Sequence, residues 1–275
     1  MTISLKKARD FVYANGVLWE KALFSYLFQE GSANYLHQCL LCYKNPDGGW
    51  GHALEHDIKY PGSHPLALEF LLSVERDTAF PIGNLLDDTP AWVERNRQPD
   101  GSLQNPADLL DYPHAPWWKD GGQTMPDSIT GNLFRLGKCP PDLARTTRQW
   151  VKENLTLEKI EANEWLFMAY HAYDYFMNIS DFPQLAEYRA ATINNIVRCA
   201  ERAPENQYSS LLSFIPSPDA PVAQALPANL LKRVLDYLSE AQQDEGQWLD
   251  QHGLRHWQPY LTIHVLVGMR NHGRL

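Results

Sequence analysis

Asn45-Pro46-Asp47-Gly48-Gly49-Trp50-Gly51 decides how the chain is read. A turn-forming Asp and two glycines ahead of a tryptophan suit a short loop pinned onto neighbouring helices. Weaker copies stand at Arg97 to Gln104 (RQPDGSLQ) and Gln242 to Trp248 (QQDEGQW), each after a segment of helical periodicity. Asp47 to Asp100 is 53 positions and Asp100 to Asp244 is 144, close to three such units. A hairpin period of roughly fifty residues accounts for both gaps, with two helices and their loops filling one unit.

Working outward, apolar residues recur at three- and four-residue intervals over Ile3 to Ala14, Val17 to Gln29, Ala33 to Tyr43, His64 to Glu75, Asn84 to Arg97 and Asp127 to Leu136. The same period runs through Leu143 to Asn154, Glu164 to Met177, Gln184 to Arg202, Pro227 to Gln243 and Pro259 to Arg270. Alternating strand patterns are absent, and Pro and Gly fall mainly between the blocks, as in YPGSHP and FIPSPDAPVAQALP. The expected fold is all-α, and one domain over residues 1–275. Its architecture is expected to be a single α/α toroid, about five to six helical hairpins closed around a central cavity. An open superhelix of helix pairs is the main competitor.

Composition narrows the partners. A formal net charge of −9 with no run of Lys or Arg argues against nucleic acid or an anionic membrane surface. The opening MTISLKKARDFVYANG lacks the apolar core of a secretory signal, and no apolar run is long enough to cross a bilayer. Cys39, Cys42, Cys139 and Cys199 are scattered, as thiols of a reducing compartment are, so a cytoplasmic location is expected. Cys39-x-x-Cys42 has zinc-ligand spacing but lies inside a helical pattern with no second pair, and reads as a buried pair of thiols, not as a metal site. No phosphate-binding or dinucleotide fingerprint occurs, so no cofactor is expected. The oligomeric state is open.

The stretch NPDGGWGHALEHDIKYPGSHPLALEFLLSV, from Asn45 to Val74, resembles a toroid repeat of the squalene/terpene cyclase and protein prenyltransferase β-subunit superfamily, and Gly246 to Met269 resembles another. The resemblance covers those segments and part of the Arg97 to Gln104 loop, and it implies the fold more than a reaction. It makes Trp50 and Trp248 structural plugs that bury large aromatic areas. The acid cluster of terpene cyclases is not present: Asp87-Asp88 lacks the first Asp and reads as a helix N-cap through Asp88 or Thr89. Asp127-Ser128-Ile129 offers no thiolate where prenyltransferases hold zinc, so no metal is expected.

In a toroid the segments just before the inner helices converge on one rim, where helix N-termini add partial positive charge. Glu55, His56, Asp57 and His64 fall there, as do Trp117, Trp118, Asp120 and Asp127, and His256, Trp257 and Tyr260. Trp19, Trp165 and His171 are expected on inner faces. Glu55-x-Asp57 is the expected proton donor, since two close carboxylates above an apolar space repel and one can keep its proton. His64 would orient a carboxylate or shuttle a proton. The competing readings are that Glu55 and Asp57 anchor the loop through backbone N–H groups, and that His64 is a solvent-facing helix start. Aromatic residues at helical spacing are also most often core.

Three functions follow. The first is an isoprenoid-type enzyme, terpene cyclase-like or acting on prenyl groups, with a rim carboxylate as general acid and Trp19, Trp117, Trp118, Trp165 and Trp257 around the substrate. Few cations stand near the mouth for a diphosphate, only Lys59, Lys119 and Arg255. The second is a carbohydrate-active glycosidase, lyase or epimerase using a pair from Glu55, Asp57, Asp120 and Asp127. The third is a toroid that binds a small molecule or peptide in its cavity without turnover.

Overall fold

A computed structural model describes residues 3–118 and 123–275. Its helices are α1 (Leu5–Asn15), α2 (Leu18–Phe28), α3 (Ala33–Leu41), α4 (Pro65–Thr78), α5 (Thr89–Arg95), α6 (Asp127–Arg135) and α7 (Pro141–Asn154). They continue with α8 (Leu157–Ala162), α9 (Tyr170–Phe176), α10 (Leu185–Arg202), α11 (Tyr208–Leu211), α12 (Pro221–Ala225), α13 (Ala228–Glu240) and α14 (Gln258–Asn271). The fold is all-α apart from an antiparallel pair of two-residue strands, β1 (Leu103–Gln104) and β2 (Gln123–Thr124). No helix among the described residues is long and apolar enough to cross a membrane.

Local chemistry explains where the helices begin. Ser4, Ser32 and Thr156 accept a hydrogen bond from the third backbone N–H of α1, α3 and α8. Proline stands in the first turn of α4, α5, α7, α12 and α14, where its missing N–H costs nothing. α8, α11 and α12 are too short to show a period and were not expected. The block Glu164 to Met177 is a 3-10 turn, Phe167–Ala169, running into α9, not one helix.

α4 and α14 are buried on nearly every face, including Glu69, Glu75, Thr262 and His264. Helices covered all round lie inside a molecule. α14 packs on α1, α2, α4, α11 and α13, α4 packs on α6, and α6 packs closely on α9. Gly131 permits that last approach, because a Cβ there would lie 2.0 Å from the Asp174 carbonyl oxygen of α9. The first and last helices meet, and Ser4 and Gln242 join the two ends of the sequence: the Ser4 N–H donates to Gln242 Oε1 (2.7 Å) and Gln242 Nε2 donates to the Ser4 carbonyl (3.1 Å).

The three loops share one backbone. Asn45, Gln98 and Gln243 each donate to the carbonyl four residues on and accept from the N–H three residues on, at 2.8 to 3.0 Å. Gly48, Gly101 and Gly246 have φ of 91°, 90° and 107°, a conformation that favours glycine. Matching these glycines puts Glu245, not Asp244, at the place of Asp47 and Asp100, so the third copy is offset by one residue from the Asp spacing. Trp50, Leu103 and Trp248 then occupy the same position, and all three are buried.

Trp50 Nε1 donates to Thr89 Oγ1 (3.1 Å), whose hydroxyl donates to the Gly48 carbonyl (2.9 Å), and Trp248 Nε1 donates to the Leu238 carbonyl (2.8 Å). Thr89 therefore fastens the loop to α5, and neither it nor Asp88 caps that helix with its side chain, contrary to expectation. Thr89→Val keeps the shape but leaves a buried donor and a buried acceptor unmatched. The expected loss is about 2 kcal/mol in urea unfolding, and a loss within error of zero would mean that the plug is held by packing alone.

Candidate functional site

The chain leaves the first loop through His52 and Ala53, both at positive φ, and turns Glu55, His56 and Asp57 inward. Glu55 is buried, and its Oε2 accepts from the Asp57 N–H (2.9 Å). Burial first, and the Asp57 charge second, push its carboxyl up to about 8. Asp57 Oδ1 accepts from Trp257 Nε1 (2.7 Å) and lies 3.4 Å from His256 Nε2, while Oδ2 accepts from Trp117 Nε1 (3.0 Å). The Asp57 carbonyl also accepts from the Ala115 N–H (2.8 Å).

The structure thus brings Asp57, Trp117 and Trp257 together from three distant segments. Both carboxylate oxygens accept from indole donors, so Asp57 ties the segments that carry Trp117 and Trp257 to each other like a clamp. Trp117 remains 45% exposed, and Trp118 packs against Ile58, Leu66 and Leu109 with its Nε1 unpartnered. Asp120 and Lys119 lie outside the described residues. His64 starts α4 and is fully buried, and neither ring nitrogen has a partner. Burial pushes it down to about 4, so it is neutral at neutral pH. It neither pairs with Glu55 or Asp57 nor faces solvent, as the two sequence readings had required.

Beneath the clamp lies a wall of rings. Phe70 stands 5.9 Å from Trp19, 5.4 Å from Tyr260 and 5.3 Å from Trp257, centroid to centroid. His56 meets Trp257 edge-on at 5.0 Å, and its Nε2 is 3.1 Å from Glu20 Oε1. Edge-to-face contacts between neighbouring rings are favourable in themselves, so Trp19, Phe70, Trp257 and Tyr260 hold one another in a contiguous aromatic wall.

Deeper in, α4, α6, α9 and α14 carry a continuous polar group. Asp127, at the start of α6, is fully buried, and its Oδ1 is 3.1 Å from Nδ1 of His171 on α9. Tyr170 lies against His171, ring centroids 4.0 Å apart, and donates to Glu69 Oε2 of α4 (3.3 Å). Asp127 Oδ2 and Glu69 Oε1 are buried with no hydrogen-bond donor. Burial raises Glu69 to about 7, against the opposing charge of His171. Burial alone would lower His171, but Asp127 in particular, with Glu69 and Asp174, raises it to about 9. A proton acceptor and a proton donor for the neutral range therefore stand side by side.

Two turns further along α4, Arg76 donates from Nη1 to both oxygens of Asp174 (2.8 Å each) and from Nε to Asp77 Oδ1 (2.9 Å). Ser128 and Asn132 also donate to Asp174, and Tyr260 and Ser213 to Asp77. Arg76 satisfies the carboxylates here and holds α4 to α9. Glu69, Arg76, Asp77 and Asp174 were missed from the sequence, although a signal existed. Glu69 interrupts the apolar run Leu66 to Leu72, and a charge on a helix that is apolar all round has to be internal.

Trp165 is 72% exposed, not on an inner face, because its segment precedes the 3-10 turn and is out of phase with α9. Cys39 and Cys42 are not a buried pair, because Cys39 is buried while Cys42, at the C-terminal end of α3, is exposed, and no group of three or more His, Cys, Asp or Glu side chains able to hold a metal occurs among the described residues. No protein family, curated protein or solved structure matches the chain.

Proposed function

We propose that the chain is an α/α toroid enzyme performing acid–base chemistry on a carbohydrate held at the Glu69–Asp127–His171 group. The repeated loops, the buried α4 and α14 and the meeting of α1 with α14 support a closed ring. The observation that carries the substrate class is the pair of buried carboxylate oxygens, Glu69 Oε1 and Asp127 Oδ2, that no protein donor reaches. Buried acceptors are costly unless paired, and the hydroxyls of a sugar pair them while a hydrocarbon cannot. Glu69 is the base that takes a proton from a hydroxyl or water. His171, held by Asp127, is the acid that returns one.

The isoprenoid-type reading is favoured by one observation, the contiguous wall of Trp19, Phe70, Trp257 and Tyr260, together with the resemblance of the loops. In that reading Glu55, raised to about 8 by burial and Asp57, is the proton donor. The two readings separate in one assay, in which aryl glycosides, disaccharides and prenyl diphosphates are incubated with wild type, Asp127→Asn and Glu55→Gln. Conversion of a sugar that falls at least about 100-fold in Asp127→Asn and survives in Glu55→Gln is expected. Consumption of a prenyl diphosphate that depends on Glu55 would replace the first reading by the second.

A further inference from the structure

Glu20 of α2 and His56 of the rim take no part in the sugar chemistry above, yet they form an oriented pair. Glu20 is buried, its Oε2 accepts from the Val17 N–H (2.7 Å), and its Oε1 lies 3.1 Å from His56 Nε2. A carboxylate fixed in this way keeps the imidazole proton on Nε2 and leaves a lone pair on Nδ1. The ring itself is held by Trp19, stacked at 6.0 Å, and by the edge-on contacts of Trp257 at 5.0 Å and Phe70 at 5.5 Å. Nδ1 has no hydrogen-bond partner among the described residues, and burial does not seal it as it seals both ring nitrogens of His64. Beside it stands His256, whose side chain is 46% exposed and whose ring lies 6.3 Å from that of His56. The preceding residue, Glu55, keeps its proton at neutral pH, raised to about 8 by burial and then by the Asp57 charge.

We propose that His56 is the general base of a second catalytic centre, an esterase at the rim, with Glu20 as its positioning residue and the Glu55 carboxyl as hydrogen-bond donor to the ester carbonyl. The centre does not use Glu69, Asp127 or His171 and does not rest on the carbohydrate reading. Its substrate class is an uncharged ester with an apolar acyl or aryl group, because Phe70 and Trp257 flank the base and the Asp57 charge repels an anion. Nδ1 takes a proton from water as the water oxygen bonds to the acyl carbon. The carbonyl oxygen gains the negative charge and is stabilised by the Glu55 hydroxyl, which keeps its proton. Collapse breaks the bond from the acyl carbon to the alkoxy oxygen, and that oxygen takes the proton from Nδ1. One water is consumed, an acid and an alcohol leave, and His56 is again a free base.

The test combines histidine nitrogen NMR on the full chain with hydrolysis of para-nitrophenyl acetate, butyrate and octanoate by the same samples. Wild type is expected to carry the neutral His56 proton on Nε2 and to hydrolyse at least one ester. Glu20→Gln keeps an oxygen for the Val17 N–H but turns its amide N–H on Nε2, which moves the imidazole proton to Nδ1 and removes the base. The expected result is a kcat at least about 100-fold lower with KM within about twofold, and His56→Gln should lose as much. Glu55→Leu removes the carbonyl donor and should also cost about 100-fold in kcat. Hydrolysis of no ester by wild type, or hydrolysis that survives in His56→Gln, overturns the esterase. A wild-type proton on Nδ1, or a slow Glu20→Gln that still carries it on Nε2, overturns the positioning role of Glu20. Should Glu20→Gln fail to fold, the wild-type tautomer and His56→Gln decide the matter.

Discussion

Arg76→Met is expected to cost about 3–5 kcal/mol, enough to leave much of the protein unfolded, since a domain holds only about 5–15 kcal/mol in all. The guanidinium is almost wholly buried and faces Asp174 and Asp77, themselves 0% and 6% exposed. With it in place, Asp77 is held below the usual carboxylate range: burial, the largest influence, works the other way, and the Arg76 and His264 charges together with hydrogen bonds from Arg76 and Tyr260 outweigh it. Methionine fills similar space but removes the guanidinium shared by two buried carboxylates, leaving only His264, 3.4 Å from Asp77, as a cationic group beside them. Urea unfolding of Arg76→Met, alone and with Asp174→Asn, measures this. The second change removes one stranded charge and should restore part of the loss. A single variant within about 1 kcal/mol of wild type would mean that the serine, asparagine and tyrosine donors suffice without the cation.

The loops were legible because their chemistry is local. An Asp side chain bonding the backbone two residues on, as Asp47 and Asp100 do, and a glycine at positive φ both leave marks in adjacent residues. The one-residue offset at Asp244 was not legible, because only backbone hydrogen bonds distinguish it from Glu245. Asp57 shows the general limit. Its neighbours suggested a repelling pair of carboxylates, and its charge does raise Glu55, but the indoles 60 and 200 positions away that donate to it left no local mark. Trp165 was misplaced for another reason, that a 3-10 turn shifts the phase of a helical pattern without changing its composition. Asp127 and His171 were both picked out from the sequence as site residues, but the pairing between them was not.

Glu69→Gln is expected to lower turnover of the sugar substrate by about 10²–10⁴-fold, the range for loss of a positioned acid or base. With Glu69 as base and His171 as acid, wild-type activity should rise with pH through about 7 and fall through about 9. The variant keeps an oxygen for the Tyr170 hydroxyl but cannot ionise, so the lower limb disappears along with most of the rate. Stability should move the other way. The folded-state value of Glu69 lies above its ordinary 4.5, so its contribution is full below that value and is lost as pH rises through about 7. Glutamine escapes that loss. Relative to wild type, Glu69→Gln should therefore gain stability between about pH 4.5 and 7 and hold the gain, on the order of a few kcal/mol, above it. Thermal unfolding across that range reads the linkage, and turnover against pH reads the chemistry. A variant that lost activity without any change in either pH profile would show Glu69 acting only through the position of Tyr170. A variant that unfolded more easily at pH 8 than wild type would remove the premise that a buried, ionising carboxyl sits there at all.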